Sequence, residues 1–351
     1  MNGYLLLADG LRLDGTLRGA PGSAYGHLAA NTSVVGFQEM ATDPVYRGRI
    51  LAFTYPEVGN VGVARPFNES AGVQAAALVV KVLSEFSSHY LAEDSMDEML
   101  QGAGVPCLCG VDTRGVAVHL RENGEMAAAV APARTDPEDV YDRLKQMKKP
   151  AFEPTEAPEA PEAEEGPVVA VLDLGVRRSQ LAQLSRVSRP RLFPWDADPE
   201  QVRACEPAGL FISDGPGTAP PPKRTVETVR ALRGSLPVLG CGLGHVAVGM
   251  ACGCEPAFLR RGHHGANYPV RNRLDGSTAV TQQRHTVMLD RQSVESCEGV
   301  ELVWENINDG TVEGIRSPDG SALGLQETLP APQSGLVNAH LKRFVEWISG
   351  K

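Results

Sequence analysis

The stretch Gly240-Cys-Gly-Leu-Gly-His245 has the residue types and the spacing of a turn that presents a nucleophile. In the pattern Gly-x-nucleophile-x-Gly, the small flanking residues allow a sharp strand-to-helix turn, and a following backbone N–H faces the oxyanion. Here the central position is Gly242, which has no side chain, and the thiol of Cys241 stands one residue early. The sequence predicts the shape of a catalytic elbow without its nucleophile.

Apolar runs place this turn at the edge of a parallel sheet. Buried strands are predicted at Val168–Leu172, Gly209–Ile212 and Leu236–Leu239, with helical segments between them. This alternation predicts helices on both faces of the sheet and a site outside the carboxyl ends of the strands. The loop Ser213–Gly217 follows the second strand, so we expect it at the same edge as the elbow.

An acidic, proline-rich segment at 150–167 divides the chain. It has few groups that can pack, which predicts an extended linker between a first domain, 1–149, and a second, 168–351. The first domain is predicted to be mixed α/β. Its predicted strands are Leu5–Ala8, Arg12–Gly15 and Ile50–Phe53, and its predicted helices are Gly72–Ser84 and Asp136–Lys148.

Composition excludes several classes of protein. The 351 residues are 42% hydrophobic and 22% charged, as in ordinary globular proteins, and the net charge of −10 argues against a nucleic-acid surface. From this sequence we expect neither a signal peptide nor an apolar run of membrane-spanning length. The seven cysteines form an odd set in a chain of this size, which favours reduced thiols. We expect a cytoplasmic protein without a membrane segment.

Three short cysteine and histidine clusters raise the question of a metal. Cys107-Leu-Cys109 and Cys252-Gly-Cys254 lack the C-x-x-C spacing or the histidine partners of a zinc site. His263 and His264 are interpreted as residues of a loop that donate hydrogen bonds. Neither a metal nor a cofactor is predicted.

Six blocks of sequence, in the same order, resemble the small subunit of carbamoyl phosphate synthetase. They are Asn31–Pro44, Thr54–Gly62, Val111–Arg114, Ser213–Gly217, Gly240–His245 and Gly262–Asn267. The resemblance implies an N-terminal domain peculiar to these subunits and a C-terminal, flavodoxin-like class I glutamine amidotransferase domain. It also implies a large-subunit partner, and a product used in arginine or pyrimidine biosynthesis.

The resemblance does not extend to the catalytic residues. The family hydrolyses glutamine with a Cys-His-Glu triad, whose positions here are Gly242, Thr328 and Pro330. Neither of the last two side chains takes up a proton near neutral pH. Because successive strand residues point to opposite faces, we expect Cys241 to face the sheet packing instead of the pocket.

The positions that contact glutamine in the family are only partly kept. Ser33, Gly215, Gly217 and Leu243 match that pattern. Within the block Gln283–Val287 the family has an amide, a glycine and an aromatic residue, where this chain has Arg284, Thr286 and Val287, and Asp214 replaces an asparagine. A long cation and a branched residue are expected to fill or repel the glutamine site.

The sequence therefore predicts a small-subunit homologue that has lost glutaminase chemistry and serves as structural or regulatory partner of an ammonia-dependent large subunit. Two alternatives remain open. An active glutaminase would use Cys241, with His245, His263, His264 or His285 as its base. A free-standing binding module would use a repurposed pocket, in which Arg284 meets an anionic ligand.

Overall fold

A computed structural model describes residues 1–148, 150–330 and 336–350 of the chain. The chain divides into two compact units. The N-terminal unit comprises Met1–Pro150 with Arg260–His264, and the C-terminal unit comprises Ala151–Leu259 with Gly265–Lys351. Lys149, where the first predicted domain ends, lies outside the described residues.

The N-terminal unit is built on a closed barrel, with strands in the order β1-β2-β8-β6-β4-β3-β9 and β9 paired with β1. Its strands are β1 (Asn2–Leu7), β2 (Arg12–Gly19), β3 (Ala24–Asn31), β4 (Ile50–Phe53), β5 (Glu57–Val58), β6 (Ala77–Val79), β7 (Val82–Leu83), β8 (Pro106–Cys109) and β9 (Ala127–Pro132). Its helices are α1 (Phe37–Ala41), α2 (Met96–Gly102), α3 (Thr113–Asn123) and α4 (Pro137–Gln146). Pro44–Tyr46 and Arg65–Phe67 form short 3-10 helices.

Two helices were predicted in this unit from local sequence patterns. The helix predicted at Asp136–Lys148 is confirmed as α4; the Asp136 side chain accepts a hydrogen bond from the backbone N–H of Glu138 at 3.0 Å. The helix predicted at Gly72–Ser84 is wrong. Ala77–Val79 forms a barrel strand between β4 and β8, because four consecutive buried apolar residues suit a strand covered on both faces.

The C-terminal unit holds one mixed sheet, in the order β11-β10-β12-β13-β18-β17-β16-β14-β15. Its strands are β10 (Val168–Asp173), β11 (Arg189–Pro194), β12 (Gly209–Ile212), β13 (Val238–Cys241), β14 (Pro256–Asn272), β15 (Thr278–Leu289), β16 (Glu301–Asn306), β17 (Val312–Arg316) and β18 (Ala322–Leu325). Its helices are α5 (Arg178–Leu184), α6 (Pro199–Arg203), α7 (Lys223–Leu232), α8 (Leu243–Cys252), α9 (Arg291–Ser296) and α10 (Ala339–Ile348).

The first five strands of this sheet are parallel and follow the flavodoxin-like order. Alternate residues of β10, β12 and β13 enter two separate apolar clusters, one on each face of the sheet. The predicted buried strands are therefore confirmed, although β13 runs two residues further than expected and ends at Cys241. Among the described residues, no helix combines the length and hydropathy needed to traverse a membrane.

Three buried charged or titratable side chains form a network in the N-terminal unit. The guanidinium of Arg49, 2% exposed, pairs with the carboxylate of Glu125. The other carboxylate oxygen of Glu125 accepts from the backbone N–H of Gly262 and lies against Nε2 of His264, each at 3.0 Å. His263 and His264 lie in β14, so the predicted loop is wrong. Burial would raise the pKa of Glu125, but Arg49 and then His264 lower it far below its usual range.

We predict that Glu125→Gln destabilises the N-terminal unit by about 3–5 kcal/mol, because it leaves the Arg49 guanidinium buried without its counter-charge. Urea unfolding, followed by a probe in this unit, measures the change. Glu122→Gln, at an exposed position three residues earlier, is the matched control and should shift the free energy of unfolding by less than about 0.5 kcal/mol. Equal effects of the two substitutions would show that the network is not important for stability.

Candidate functional site

The predicted elbow is present as a sharp turn between β13 and α8. Gly242 has φ 52° and ψ −113°, a conformation that favours glycine, and its N–H donates to the carbonyl of Leu325 at 2.9 Å. Gly244 lies so close to β12 that a Cβ there would overlap the carbonyl oxygen of Ile212. The flanking glycines therefore bring the start of α8 against the carboxyl ends of the central strands.

The side chain of Asp214 fills the space where a nucleophile would stand. A Cβ added at Gly242 would overlap the Asp214 carboxylate. The same carboxylate oxygen accepts from the backbone N–H of Gly215 at 2.9 Å and of Leu243 at 3.2 Å. In an elbow, the N–H that follows the nucleophile stabilises the oxyanion. Here that N–H, on Leu243, already has an anionic partner from the protein.

The thiol of Cys241 lies away from this space. It is fully buried in the apolar cluster that includes Val169, Phe211 and Leu325. Burial raises the pKa of the thiol well above its ordinary value, and the negative charges of Asp214 and Glu327 raise it further. Cys241 is therefore a neutral core thiol, which is a weak nucleophile.

The loop after β12 contacts strand β15. The carbonyl of Gly217 accepts from the N–H of Thr286 at 3.0 Å and of Val287 at 3.1 Å. Arg284 is 7% exposed, and Val287 is 1% exposed and belongs to the core. The structure thus brings together Asp214, Gly215, Gly217, Gly242, Leu243 and the substituted residues of β15. Ser33 lies in the N-terminal unit, where its N–H donates to the side-chain oxygen of Asn31 at 2.8 Å.

Comparison with known proteins gives the family. Residues 5–130 match the family described as carbamoyl-phosphate synthase small chain, CPSase domain, and residues 170–327 match glutamine amidotransferase class-I. The chain is 36% identical to the carbamoyl phosphate synthase small chain of Methanopyrus kandleri over 345 residues, 95% of each chain. It is 36% identical to the small chain of Archaeoglobus fulgidus, in an alignment that covers 95% of each chain. It is 31% identical to the small chain of Listeria monocytogenes, in an alignment that covers 99% of this chain and 97% of the relative.

The chain belongs to the carbamoyl phosphate synthase small chain family. The order of the six sequence blocks had predicted this family, and the predicted mixed α/β fold with an amidotransferase domain is confirmed. Thr328 and Pro330, the positions predicted to match the remaining triad members, do not form an acid–base pair. Thr328 is buried, with its N–H donated to the carbonyl of Gln282 at 2.9 Å, and Pro330 is exposed.

Three of the histidines considered as bases for Cys241 have other partners or are electrically neutral. His264 contacts the carboxylate of Glu125. His285 donates from Nδ1 to the carbonyl of Val287 at 3.1 Å. His245 is fully buried, and burial lowers its pKa to about 4, so its ring is neutral at pH 7. The backbone of Gly324 faces this ring without completing a hydrogen bond.

Sequence reasoning did not find the contact between Asp214 and the elbow. Asp214 was recognised only as a replacement for an asparagine in the loop after β12. A usable signal was present, because Asp214 and Gly242 follow neighbouring parallel strands whose carboxyl ends meet at one edge. The sequence does not give the direction of the Asp214 side chain, which places its carboxylate against Gly242.

We predict that Gly242→Cys alone destabilises the C-terminal unit by at least about 2 kcal/mol, because the new side chain overlaps Asp214 and the positive φ is unfavourable for cysteine. In the double variant with Asp214→Ala, the overlap disappears and part of this loss should be recovered. Urea unfolding of the two single variants and the double variant measures the coupling. Strictly additive effects would contradict the overlap.

A second prediction concerns pH. Because the pKa of His245 is about 4 in the folded state and about 6.5 in the unfolded chain, the unfolded state binds an extra proton between these values. Stability is therefore lost as the pH falls through this window, by about 2 kcal/mol between pH 7 and pH 5. His245→Met should remove this share of the pH dependence, which unfolding midpoints at the two pH values would detect. An identical loss in both proteins would contradict the assignment.

Proposed function

We propose that this small chain does not hydrolyse glutamine and that it acts as a structural or regulatory partner of a carbamoyl phosphate synthase large chain that uses free ammonia. One observation carries the proposal. The carboxylate of Asp214 occupies the space of the missing nucleophile and accepts from the N–H of Leu243, which lies where an oxyanion-stabilising donor is expected. A bound glutamine carbonyl would have to displace this anion.

The remaining chemistry supports the same proposal. Amide hydrolysis through an acyl intermediate needs a nucleophile, a base and a group that orients the base. Gly242, Thr328 and Pro330 offer none of these. For a serine protease, loss of the nucleophile or the histidine alone costs roughly a millionfold in turnover, so the absence of all three positions should reduce glutamine hydrolysis to background.

Residues of the altered pocket point in the same direction. Arg284 and Val287 are buried, so their side chains take up interior space in β15. The carbonyl of Gly217, in the loop that faces β15, is engaged by the N–H groups of Thr286 and Val287. These contacts leave the loop little freedom to receive a substrate.

Association is favoured by the surface of the N-terminal unit. Phe86 and Tyr90 are 81% and 88% exposed, so both aromatic rings are available to contact a partner. Their loop is held against the block Thr54–Gly62 by backbone bonds from Ser88 to Asn60, at 2.9 Å, and from His89 to Val61, at 3.2 Å. We propose that domain 1–149 docks on the large chain through this loop and that domain 168–351, after the linker 150–167, keeps the amidotransferase fold without its reaction.

The proposed function is tested by mixing the chain with the large chain of the same organism and comparing glutamine with ammonia as nitrogen donor. We expect a stable complex that makes carbamoyl phosphate from ammonia, and glutamate release from glutamine that does not exceed the background without protein. Cys241→Ala should leave that background unchanged. Glutamate release that disappears in Cys241→Ala would instead establish an active glutaminase and overturn the proposal.

The docking loop is tested in the same complex. Phe86→Ser combined with Tyr90→Ser should weaken association at least tenfold, since exposed aromatic anchors often dominate interface energies. Leu274→Ser, at a residue 56% exposed in the C-terminal unit, is the matched control and should leave the affinity unchanged. Surface plasmon resonance measures both. Equal affinities of the wild type and the double variant would exclude this loop as the contact.

A further inference from the structure

A cavity of about 300 Å³ lies in the C-terminal unit, beside the start of α10. Strands β16, β17 and β18 contribute Trp304, Glu313 and Leu325 to its wall, and α10 contributes His340. The cavity contains none of the residues aligned with the glutamine contacts of the family. Of the three aligned triad positions, only Pro330 borders it. Its lining therefore differs from the residues of the elbow and its pocket, although Leu325, whose carbonyl accepts from Gly242, borders both.

The charge of the cavity is negative. Glu313 and Glu327 both line it, and their side chains are largely buried. Among the described lining residues, none is a lysine or an arginine; Arg343, further along α10, lines the neighbouring groove. Nε2 of His340 lies 3.1 Å from Oε1 of Glu327, and a carboxylate has further acceptor sites beyond one such contact. A positively charged ligand in this cavity would therefore contact carboxylate oxygens.

Gln283 orients the Glu313 carboxylate in this wall. Its amide nitrogen donates to Oε2 of Glu313 at 2.7 Å and to Oγ1 of Thr281 at 2.9 Å. Because the amide nitrogen must face these acceptors, the orientation of the amide is determined. Gln283 is itself completely buried, so it acts on the cavity through Glu313 and not by direct contact with a ligand.

The Glu313 carboxylate is held rigidly at this wall. Besides the Gln283 amide, it accepts from Nδ2 of Asn306 and from Oγ1 of Thr311, each at 3.1 Å. The cavity also has an apolar portion, formed by the half-buried ring of Trp304 with Val270 and Leu325. An indole ring attracts organic cations as well as apolar groups.

From this combination we propose that the C-terminal unit binds a small organic cation, a primary ammonium or a guanidinium on a short apolar body, in the cavity between α10 and β16–β18. The positive group faces Glu327 and Glu313, and the apolar body contacts Trp304. The volume is at the lower end of the range for small-molecule pockets, so a compact ligand fits best. This site does not depend on glutamine chemistry.

Isothermal titration calorimetry on the full chain tests the proposal with benzylamine and phenylguanidine as cationic probes. Benzyl alcohol, with a similar body and no charge, and benzoate, with the opposite charge, are the ligand controls. We expect at least one cation to bind at least tenfold more tightly than both controls. The proposal is overturned if neither cation binds, or if the alcohol or benzoate binds as tightly.

Three variants locate the binding. Glu327→Gln removes one lining charge with little change of shape and should weaken cation binding at least tenfold. Ala279→Phe, at an exposed lining residue, should block the cavity without disturbing the core, so its binding loss can be interpreted even if Glu327→Gln folds poorly. Glu346→Gln, on the exposed side of α10 near Lys342, is the matched control and should bind as the wild type does. Unchanged affinity in Ala279→Phe, or equal losses in Glu327→Gln and Glu346→Gln, would place the cation elsewhere and overturn the proposal.

Discussion

The turn at Gly242 is the constraint on which the C-terminal unit depends. Its positive φ and the two neighbouring glycines let α8 begin immediately after β13, so that α8 packs over the central strands of the sheet. The apolar residues of α8 then complete the larger core cluster of this unit. Any residue other than glycine at the turn would strain the backbone and meet the carboxylate of Asp214.

The glycines of this turn are required for packing, whatever the chemistry of the central position. Helix α8 could not approach β13 and β12 if larger residues stood at Gly240 or Gly244. A missing side chain at Gly242 leaves that packing unaffected. Asp214 then supplies a partner for the N–H groups of Gly215 and Leu243, which would otherwise be buried without an acceptor.

Both units bury titratable side chains. The N-terminal unit contains a buried ion network, in which Arg49 and His264 surround Glu125. Such a network contributes little net stability, but its geometry is demanding, because each charge needs its partner. In the C-terminal unit, burial keeps Cys241 and His245 uncharged, since it disfavours their charged forms.

Much of the fold could be predicted from local signals. The strands around the elbow, the linker composition and the cap of α4 are visible in the sequence because they depend on neighbouring residues. The order of the sequence blocks identified the family, and counting positions within the elbow showed that Gly242 has no side chain. The helix predicted at Gly72–Ser84 was wrong, because the same apolar residues fit both a helical spacing and a buried strand. Only the pairing of β6 with β4 and β8 selects the strand.

Which side chains from distant parts of the chain come into contact depends on the tertiary structure alone. The carboxylate of Asp214 reaches Gly242 because two parallel strands end side by side, and Glu125 reaches His264 although 138 residues separate them in the chain. The cavity beside α10 likewise depends on residues from five strands and a helix. Sequence patterns reflect interactions between residues that are close along the chain. Burial and side-chain direction depend on distant segments. The absence of a side chain at Gly242 could thus be read from the sequence, but the carboxylate that lies against this turn could be found only in the folded chain.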